Sequence, residues 1–246
     1  MAPPANPIIL IPARLAAMRL PGKPLADIAG IPMIVRVLRQ AEMAKVGPVA
    51  VAAGDEEIVR VVEDAGGRAV LTDPSLASGT DRIHAALSIL DPEMRHDVVV
   101  NLQGDLPSIA PASLERVVWA LGESDCDIAT IVAPITDPED RDNPNVVKPA
   151  IAWDRTGETG RALYFSRTPI PTGEGVLFHH IGVYAYKRPA LERFVTLPPS
   201  ELEQRERLEQ LRAMEAGMRI AVARVDEIPL TIDTEADLAK ARRFIS

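Results

Sequence analysis

IILIPARLAAMRLPGKPLADIAGIPMI, residues 8–34, decides how this chain folds. Its first four residues, Ile8 to Ile11, are apolar without alternation, as in a strand of a parallel sheet covered on both faces. The run stops at Pro12. A loop follows in which Arg14, Arg19 and Lys23 are set among Pro12, Pro21, Gly22 and Pro24, and helical periodicity begins at Ile34. Ligands of open α/β sheets bind beyond the carboxyl ends of the strands. Fixed positive charges there, on a loop stiffened by proline, make a receptor for a polyphosphate. A solvated basic loop would carry the same charge, but it would gain little from the interleaved prolines. A pre-shaped anion site does gain, because it loses less entropy on binding. The loop is not a Walker motif, since no G-x-x-x-x-G-K-[ST] is present.

Outward from this stretch, apolar residues recur at helical spacing in Ile34/Val37/Leu38/Ala41, Ile58/Val61/Val62/Ala65, Ile83/Ala86/Leu87/Leu90 and Leu114/Val117/Val118/Leu121. Between them lie the short apolar runs Val49–Ala53, Ala69–Leu71, Val98–Leu102 and Ile128–Val132. This alternation predicts a Rossmann-like α/β core with a mostly parallel sheet and helices on both faces. Ser78 and Asp81 have capping-box spacing, and Gly66-Gly67 ends the second helix. After about residue 135 the rhythm changes. Val146–Trp153, Arg161–Phe165 and His180–Tyr186 read as longer strands in a mixed or antiparallel extension. Helical patterns return at Leu208–Glu215 and Thr234–Phe244, with a strand at Arg219–Val225 between them. The expected organisation is one continuous domain: a nucleotide-binding core over 1–135, a substrate-binding and dimerisation lobe over 136–225, and a C-terminal segment over 226–246.

The chain has 246 residues, 47% apolar and 25% charged, with a net charge of −8. An acidic protein is a poor partner for nucleic acid or an anionic membrane, so the positive loop is a local feature suited to a small anion. Cys126, the single cysteine, lies between Asp125 and Asp127, which raises a thiol pKa and argues against a nucleophile. The four histidines lack zinc-ligand spacing. No stretch reaches the roughly 18 apolar residues of a membrane span, and the start lacks signal-peptide character. A soluble cytoplasmic protein is expected.

Two aspartates are candidate ligands of Mg²⁺, a cation that takes one or two carboxylates together with phosphate oxygens. Asp105 follows the buried run Val98–Leu102 through Gly104, and Asp233 precedes the capping pair Thr234/Asp237. Each reads equally as an ordinary turn or helix-start acid. Ser78-Gly-Thr-Asp-Arg82 offers hydroxyls and free helix N–H groups to an anion. Tyr164-Phe-Ser-Arg167 puts a guanidinium at the end of a strand, and strand periodicity puts His180, Gly182 and Tyr184 on one face. That face leaves room for a ligand or houses a half-buried His/Tyr pair.

Together IPAR (11–14), RLPGKPL (19–25), GIPMI (30–34), SGTDR (78–82), NLQGD (101–105), NPNVVK (143–148), ALYFSR (162–167), HIGVYAY (180–186), LEQLR (208–212) and IDTEADL (232–238) resemble the 3-deoxy-manno-octulosonate (KDO) cytidylyltransferases, in family order and over nearly the whole chain. The resemblance implies a nucleotide-diphospho-sugar transferase fold and the reaction CTP + KDO → CMP-KDO + pyrophosphate, with Mg²⁺, in a cytoplasmic homodimer serving lipopolysaccharide synthesis. It implies that Arg14, Arg19 and Lys23 hold the triphosphate, with Ser78 and Arg82 on the nucleotide. Lys23, Asp105 and Arg14 would be catalytic, and Asp105 and Asp233 metal ligands. Gln103, Arg167, His180, Tyr184, Glu209 and Gln210 would line the sugar pocket. A cytidylyltransferase for an amino-substituted KDO or another sugar acid is the neighbouring alternative, and a non-catalytic nucleotide-binding protein a more distant one. Three places depart from the family pattern: Leu106-Pro107 stands where Glu-Pro usually follows QGD, Ala53-Gly54-Asp55 where a Thr-Asp pair is usual, and the 168–179 segment is short.

Overall fold

The computed structural model describes residues 5–16 and 20–245. The chain forms two compact units, Met1–Glu115 with Pro229–Ser246, and Arg116–Ile228. The division thus falls at 115/116, not near residue 135, and the segment after 229 returns to the first unit. The strand at Ile128, expected in the nucleotide-binding core, belongs to the second unit. The apolar run there reads like its predecessors, and only its strand partners distinguish it.

The first unit contains β1 (Pro7–Ala13), β2 (Asp27–Ile28), β3 (Ile31–Pro32), β4 (Val49–Ala53), β5 (Ala69–Leu71) and β6 (Val98–Leu102). Four of them align in the order β5-β4-β1-β6, every pair parallel. β1 is therefore interior, and Ile8, Ile9, Leu10 and Ile11 are buried. This is why the sequence shows no alternation there. The helices α1 (Met33–Met43), α2 (Glu56–Asp64) and α3 (Gly79–Leu90) match the periodic segments. Ser78 caps α3 in a full capping box with Asp81. A hairpin of β2 and β3 follows the basic loop.

That loop is held by an apolar plug. Leu20 is buried with Ile28, Met33, Ile232, Leu238 and Ala241, so the C-terminal helix Glu235–Phe244 packs beneath it. Arg242 Nε adds a bond to the Asp27 carbonyl at 2.9 Å. Gly22 takes a left-handed conformation (φ 69°) and leads into a 3₁₀ turn, Lys23–Leu25. Only glycine adopts that angle without steric cost, which explains the Pro-Gly-Lys sequence.

The second unit begins within α4 (Pro111–Gly122) and contains β7 (Ile128–Pro134), β8 (Lys148–Trp153), β9 (Thr159–Ser166), β10 (Phe178–Lys187) and β11 (Ile220–Arg224). Their order is β10-β7-β11-β9-β8. β7 and β11 are parallel and the other pairs antiparallel, the mixed arrangement expected. Between Ile181 and Tyr184 the register of β10 on β7 slips. The buried Thr130 hydroxyl fills the irregularity, lying 2.8 Å from the Val183 carbonyl and 3.3 Å from that of Ile181.

A carbonyl that leaves the ladder inside a sheet is costly unless another donor reaches it. Thr130→Val keeps the shape and removes that donor. The expected loss is about 1–3 kcal/mol of unfolding free energy, measurable by urea denaturation.

Candidate functional site

In the first unit the loop after β1, the start of α3 and the turn after β6 line a cleft of about 380 Å³. Its walls include Arg14, Leu20, Lys23, Ser78, Gly79, Arg82, Gln103, Gly104, Asp105 and Asp233. Glycine makes the close approach possible. A Cβ on Gly104 would lie 3.0 Å from the Pro12 carbonyl oxygen, and one on Gly79 would lie 3.2 Å from the Pro12 ring.

Lys23 is the centre of the cleft. Its ammonium donates to Asp105 Oδ2 at 2.8 Å, the Ile232 carbonyl at 3.0 Å and Asp233 Oδ1 at 3.1 Å. Burial alone would lower the Lys23 pKa, but the charge and hydrogen bond of Asp105, then those of Asp233, outweigh it and hold the pKa above its ordinary value. Lys23 is thus a cation at working pH, and two carboxylates point at one cation position.

That arrangement tests whether a divalent metal fits. Two carboxylate oxygens and a carbonyl lie within 3.1 Å of the Lys23 ammonium, so the two acids stand in a hard-oxygen environment whose centre that ammonium fills. Among the described residues no cluster of three or more His, Cys, Asp and Glu could hold a metal. The remaining ligands would have to be water and substrate phosphate, the usual coordination of Mg²⁺. Asp105 and Asp233 supply the carboxylates such an ion would take.

Arg14 is exposed on the rim, and Arg19 lies outside the described residues. Ser78 lines the cleft while its hydroxyl accepts from Asp81 N–H at 3.1 Å and sits 2.9 Å from Asp81 Oδ2. Arg82 is in the cleft wall, and its guanidinium is engaged by the protein itself. Only 2% exposed, it donates to Thr72 Oγ1 at 2.7 Å, the Asp73 carbonyl at 3.1 Å and the Pro74 carbonyl at 3.4 Å. Burial, then the charge of Arg14, lowers its pKa, opposed by Asp55 and Asp73. Arg82 holds the 72–74 segment in place. Gln103, expected among the sugar residues, is in the wall of this cleft, with its amide donating to Asn101 Oδ1 at 3.1 Å. Leu106, at the departure from the family pattern, is 3% exposed and belongs to the packed interior.

In the second unit His180 and Tyr184 do share a face, with ring centroids 5.4 Å apart. His180 also packs edge-on against Phe165, and its Nε2 is 3.0 Å from Thr130 Oγ1. With the Thr130 hydroxyl proton on the nearer carbonyl, that of Val183, the bond to Thr130 calls for the His180 tautomer protonated on Nε2. Burial, then neighbouring His179, drives the His180 pKa down to about 3. Burial, then Tyr186 and Glu209, pushes the Tyr184 phenol well above its usual value, which places the Glu209 charge in its surroundings. Gln210 is buried, and its Nε2 has no hydrogen-bond partner among the described residues. An orphaned donor in the LEQLR segment is what a polar ligand would satisfy.

Arg167, the expected sugar contact, is spent on the protein itself. Its Nε donates to the Glu206 carbonyl at 2.6 Å, Nη1 to that of Pro144 at 2.8 Å and Nη2 to that of Arg207 at 3.2 Å. Beside it lies a residue that the motif reading did not single out. Lys148 is fully buried and donates to the Asn143 carbonyl at 2.6 Å and the Arg167 carbonyl at 3.2 Å. Burial lowers its pKa, opposed by Asp142 and Asp140. The signal was present as a lysine closing NPNVVK just before an apolar strand. Glu206 was missed as well, and it accepts from Arg167 N–H at 3.1 Å and the Tyr164 hydroxyl at 3.4 Å.

A family model described as cytidylyltransferase matches residues 8–220. The chain is 57% identical over 244 residues to the 3-deoxy-manno-octulosonate cytidylyltransferase of Rhodospirillum centenum, covering 99% of this chain and 95% of that one. It is 58% identical over 241 residues to the protein of the same name from Methylobacterium radiotolerans, covering 98% and 97%. A solved structure of CMP:2-keto-3-deoxy-manno-octonic acid synthetase complexed with CTP matches with a TM-score of 0.88 and 37% identity over 98% of each chain. A 4-diphosphocytidyl-2C-methyl-D-erythritol synthase from Anaerococcus prevotii, 13% identical with a TM-score of 0.66, shares the fold.

The geometry around His180 fixes its pH behaviour. The imidazole stays neutral, protonated on Nε2, throughout pH 5–8, so its NMR resonances are flat across that range. The unfolded chain takes up a proton at about 6.5 that the fold refuses until about pH 3. Stability from this group is therefore complete above 6.5 and falls as the pH drops toward 3. A His180 titration midpoint near 6.5 would show that the ring is not buried in this way.

Proposed function

The chain belongs to the 3-deoxy-manno-octulosonate cytidylyltransferase branch of the cytidylyltransferase family, and we propose that it couples CTP to KDO, giving CMP-KDO and pyrophosphate. The observation that carries this reading is the Lys23 ammonium between Asp105 and Asp233, in a cleft rimmed by Arg14 and the start of α3. A cation, two acids and helix N–H groups in one cleft suit a nucleoside triphosphate bound with a divalent metal.

The anomeric hydroxyl of the sugar attacks the α-phosphorus in line, forming the new P–O bond as the bond to pyrophosphate breaks. Such transfer depends on positioning and charge neutralisation more than on covalent catalysis. Arg14, Arg19 and Lys23 take the triphosphate, and Lys23 offsets charge that builds on the phosphate oxygens. Gly79 stands in the cleft wall at the head of α3, and Ser78 and Gln103 line the wall beside it. Asp105 and Asp233 hold Mg²⁺. When bound, the ion supplies electrostatic stabilisation of the phosphates and orients them.

The sugar acid is assigned to the second unit's His180, Tyr184, Glu209 and Gln210. Arg167 and Lys148 hold the surrounding carbonyls at Asn143, Pro144, Glu206 and Arg207. Neutral His180 and Tyr184 are suited to hydroxyl recognition by hydrogen bonds. Among the described residues no helix is long and apolar enough to cross a membrane. A cytoplasmic homodimer completes the reading, with light scattering as the check on assembly.

Pyrophosphate release from CTP and Mg²⁺, compared with KDO, amino-substituted KDO and sialic acid, tests the assignment. KDO should give the highest kcat/KM, and no release with any of the three would overturn it. Lys23→Ala and Asp105→Asn should each lower kcat on the order of 10²–10³-fold. Near-normal turnover in either purified variant would remove that residue from the mechanism.

A further inference from the structure

Asp55 stands at the N-cap of α2, where an aspartate ordinarily caps its own helix, yet its side chain makes no capping bond. The first turn relies instead on Glu56 and Glu57 to balance the helix dipole. The carboxylate reaches 40 residues back along the chain, and Oδ2 accepts the Leu15 N–H at 2.8 Å. Leu15 follows Arg14, and its own carbonyl accepts from Gly22 N–H at 3.2 Å, beside Lys23. One carboxylate therefore fixes the loop at the base of both cations.

The preceding residue reinforces this. Gly54 N–H donates to the Ala13 carbonyl at 2.8 Å, extending the contact of β4 with β1 past the strand end. A Cβ on Gly54 would lie 2.8 Å from Arg82 Nη1 and 3.2 Å from Arg14 Cβ. The stem of Arg14 and the guanidinium of Arg82 thus both pass over this turn. The charge of Arg14 acts against the protonated Arg82, and the Asp55 charge opposes that effect.

We propose that Asp55 is a positioning residue for the nucleotide, setting Arg14 and the Gly22-Lys23 turn in their triphosphate-binding places through the Leu15 N–H. It touches no reacting atom and acts through Arg14 and Lys23. This inference rests on the CTP-dependent reading above. CTP affinity of the unaltered protein, measured by calorimetry with Mg²⁺, therefore accompanies the variants, and its absence would defeat that reading rather than the role of Asp55.

Three substitutions separate the possibilities. Asp55→Ala removes the acceptor. Asp55→Asn retains an oxygen of the same reach. Asp55→Ser is too short for Leu15 yet well suited to cap α2, so it keeps a helix cap that alanine lacks. The expected result is a rise of about tenfold in the KM and Kd for CTP in the serine and alanine variants. The KM for the sugar acid stays unchanged, and asparagine returns CTP affinity to within about threefold. Wild-type CTP affinity in Asp55→Ser overturns the proposal. So does an equal rise in both KM values that asparagine fails to rescue.

Discussion

The ammonium of Lys23 joins three parts of the chain that are far apart in sequence: the loop after β1, the turn after β6 and the segment before the C-terminal helix. Without it, Asp105 and Asp233 would face one another as like charges in a half-buried place. With it, the carboxylates are drawn to a common point and the return of the chain is set, with Ile232 N–H bonded to the Asp105 carbonyl at 3.1 Å. The apolar counterpart is Leu20, which packs on Ile232 and Leu238 of that same returning segment. A cleft that must bind a highly charged ligand is thereby built around an internal ion cluster, one ammonium between two carboxylates.

Three cations, two of them buried, do much of the remaining construction. Arg82 holds the carbonyls of Asp73 and Pro74, Arg167 those of Pro144, Glu206 and Arg207, and Lys148 those of Asn143 and Arg167. Carbonyls in loops lack ladder partners, and a guanidinium or ammonium can serve several at once. The same physics explains why the sequence around Arg82 and Arg167 suits ligand receptors as well. A multi-donor cation is as suitable for fixing a loop as for gripping an anion.

The strands and helices of the first unit were legible because burial on one or both faces leaves a period in the sequence. Val49–Ala53, Ala69–Leu71 and Val98–Leu102 are strands over those same residues. The proximity of Lys23, Asp105 and Asp233 was legible because each follows a strand or precedes a capped helix, places that an α/β sheet brings to one edge. What remained hidden depends on long-range partners. Nothing local marks β7 as part of the second unit, and nothing in HIGVYAY marks the register slip that Thr130 fills from another strand. The engagement of Arg167 likewise depends on carbonyls more than 20 residues away along the chain.

The departures from the family pattern acquire a physical meaning at this level. Leu106 adds to the buried apolar interior, while the two acids that face Lys23 are Asp105 and Asp233. At Ala53-Gly54-Asp55 the glycine leaves room for the guanidinium above it, because a Cβ there would lie 2.8 Å from Arg82 Nη1 and the end of that side chain would have to shift. Arg82 can then lie flat across the turn and bind the Thr72 hydroxyl, which itself donates to the Ala53 carbonyl at 2.8 Å. The turn after β4, the segment after β5 and the head of α3 are consequently one hydrogen-bonded assembly. A substitution at Gly54 would act on the nucleotide cleft through Arg82 and Arg14, without its own side chain touching a ligand.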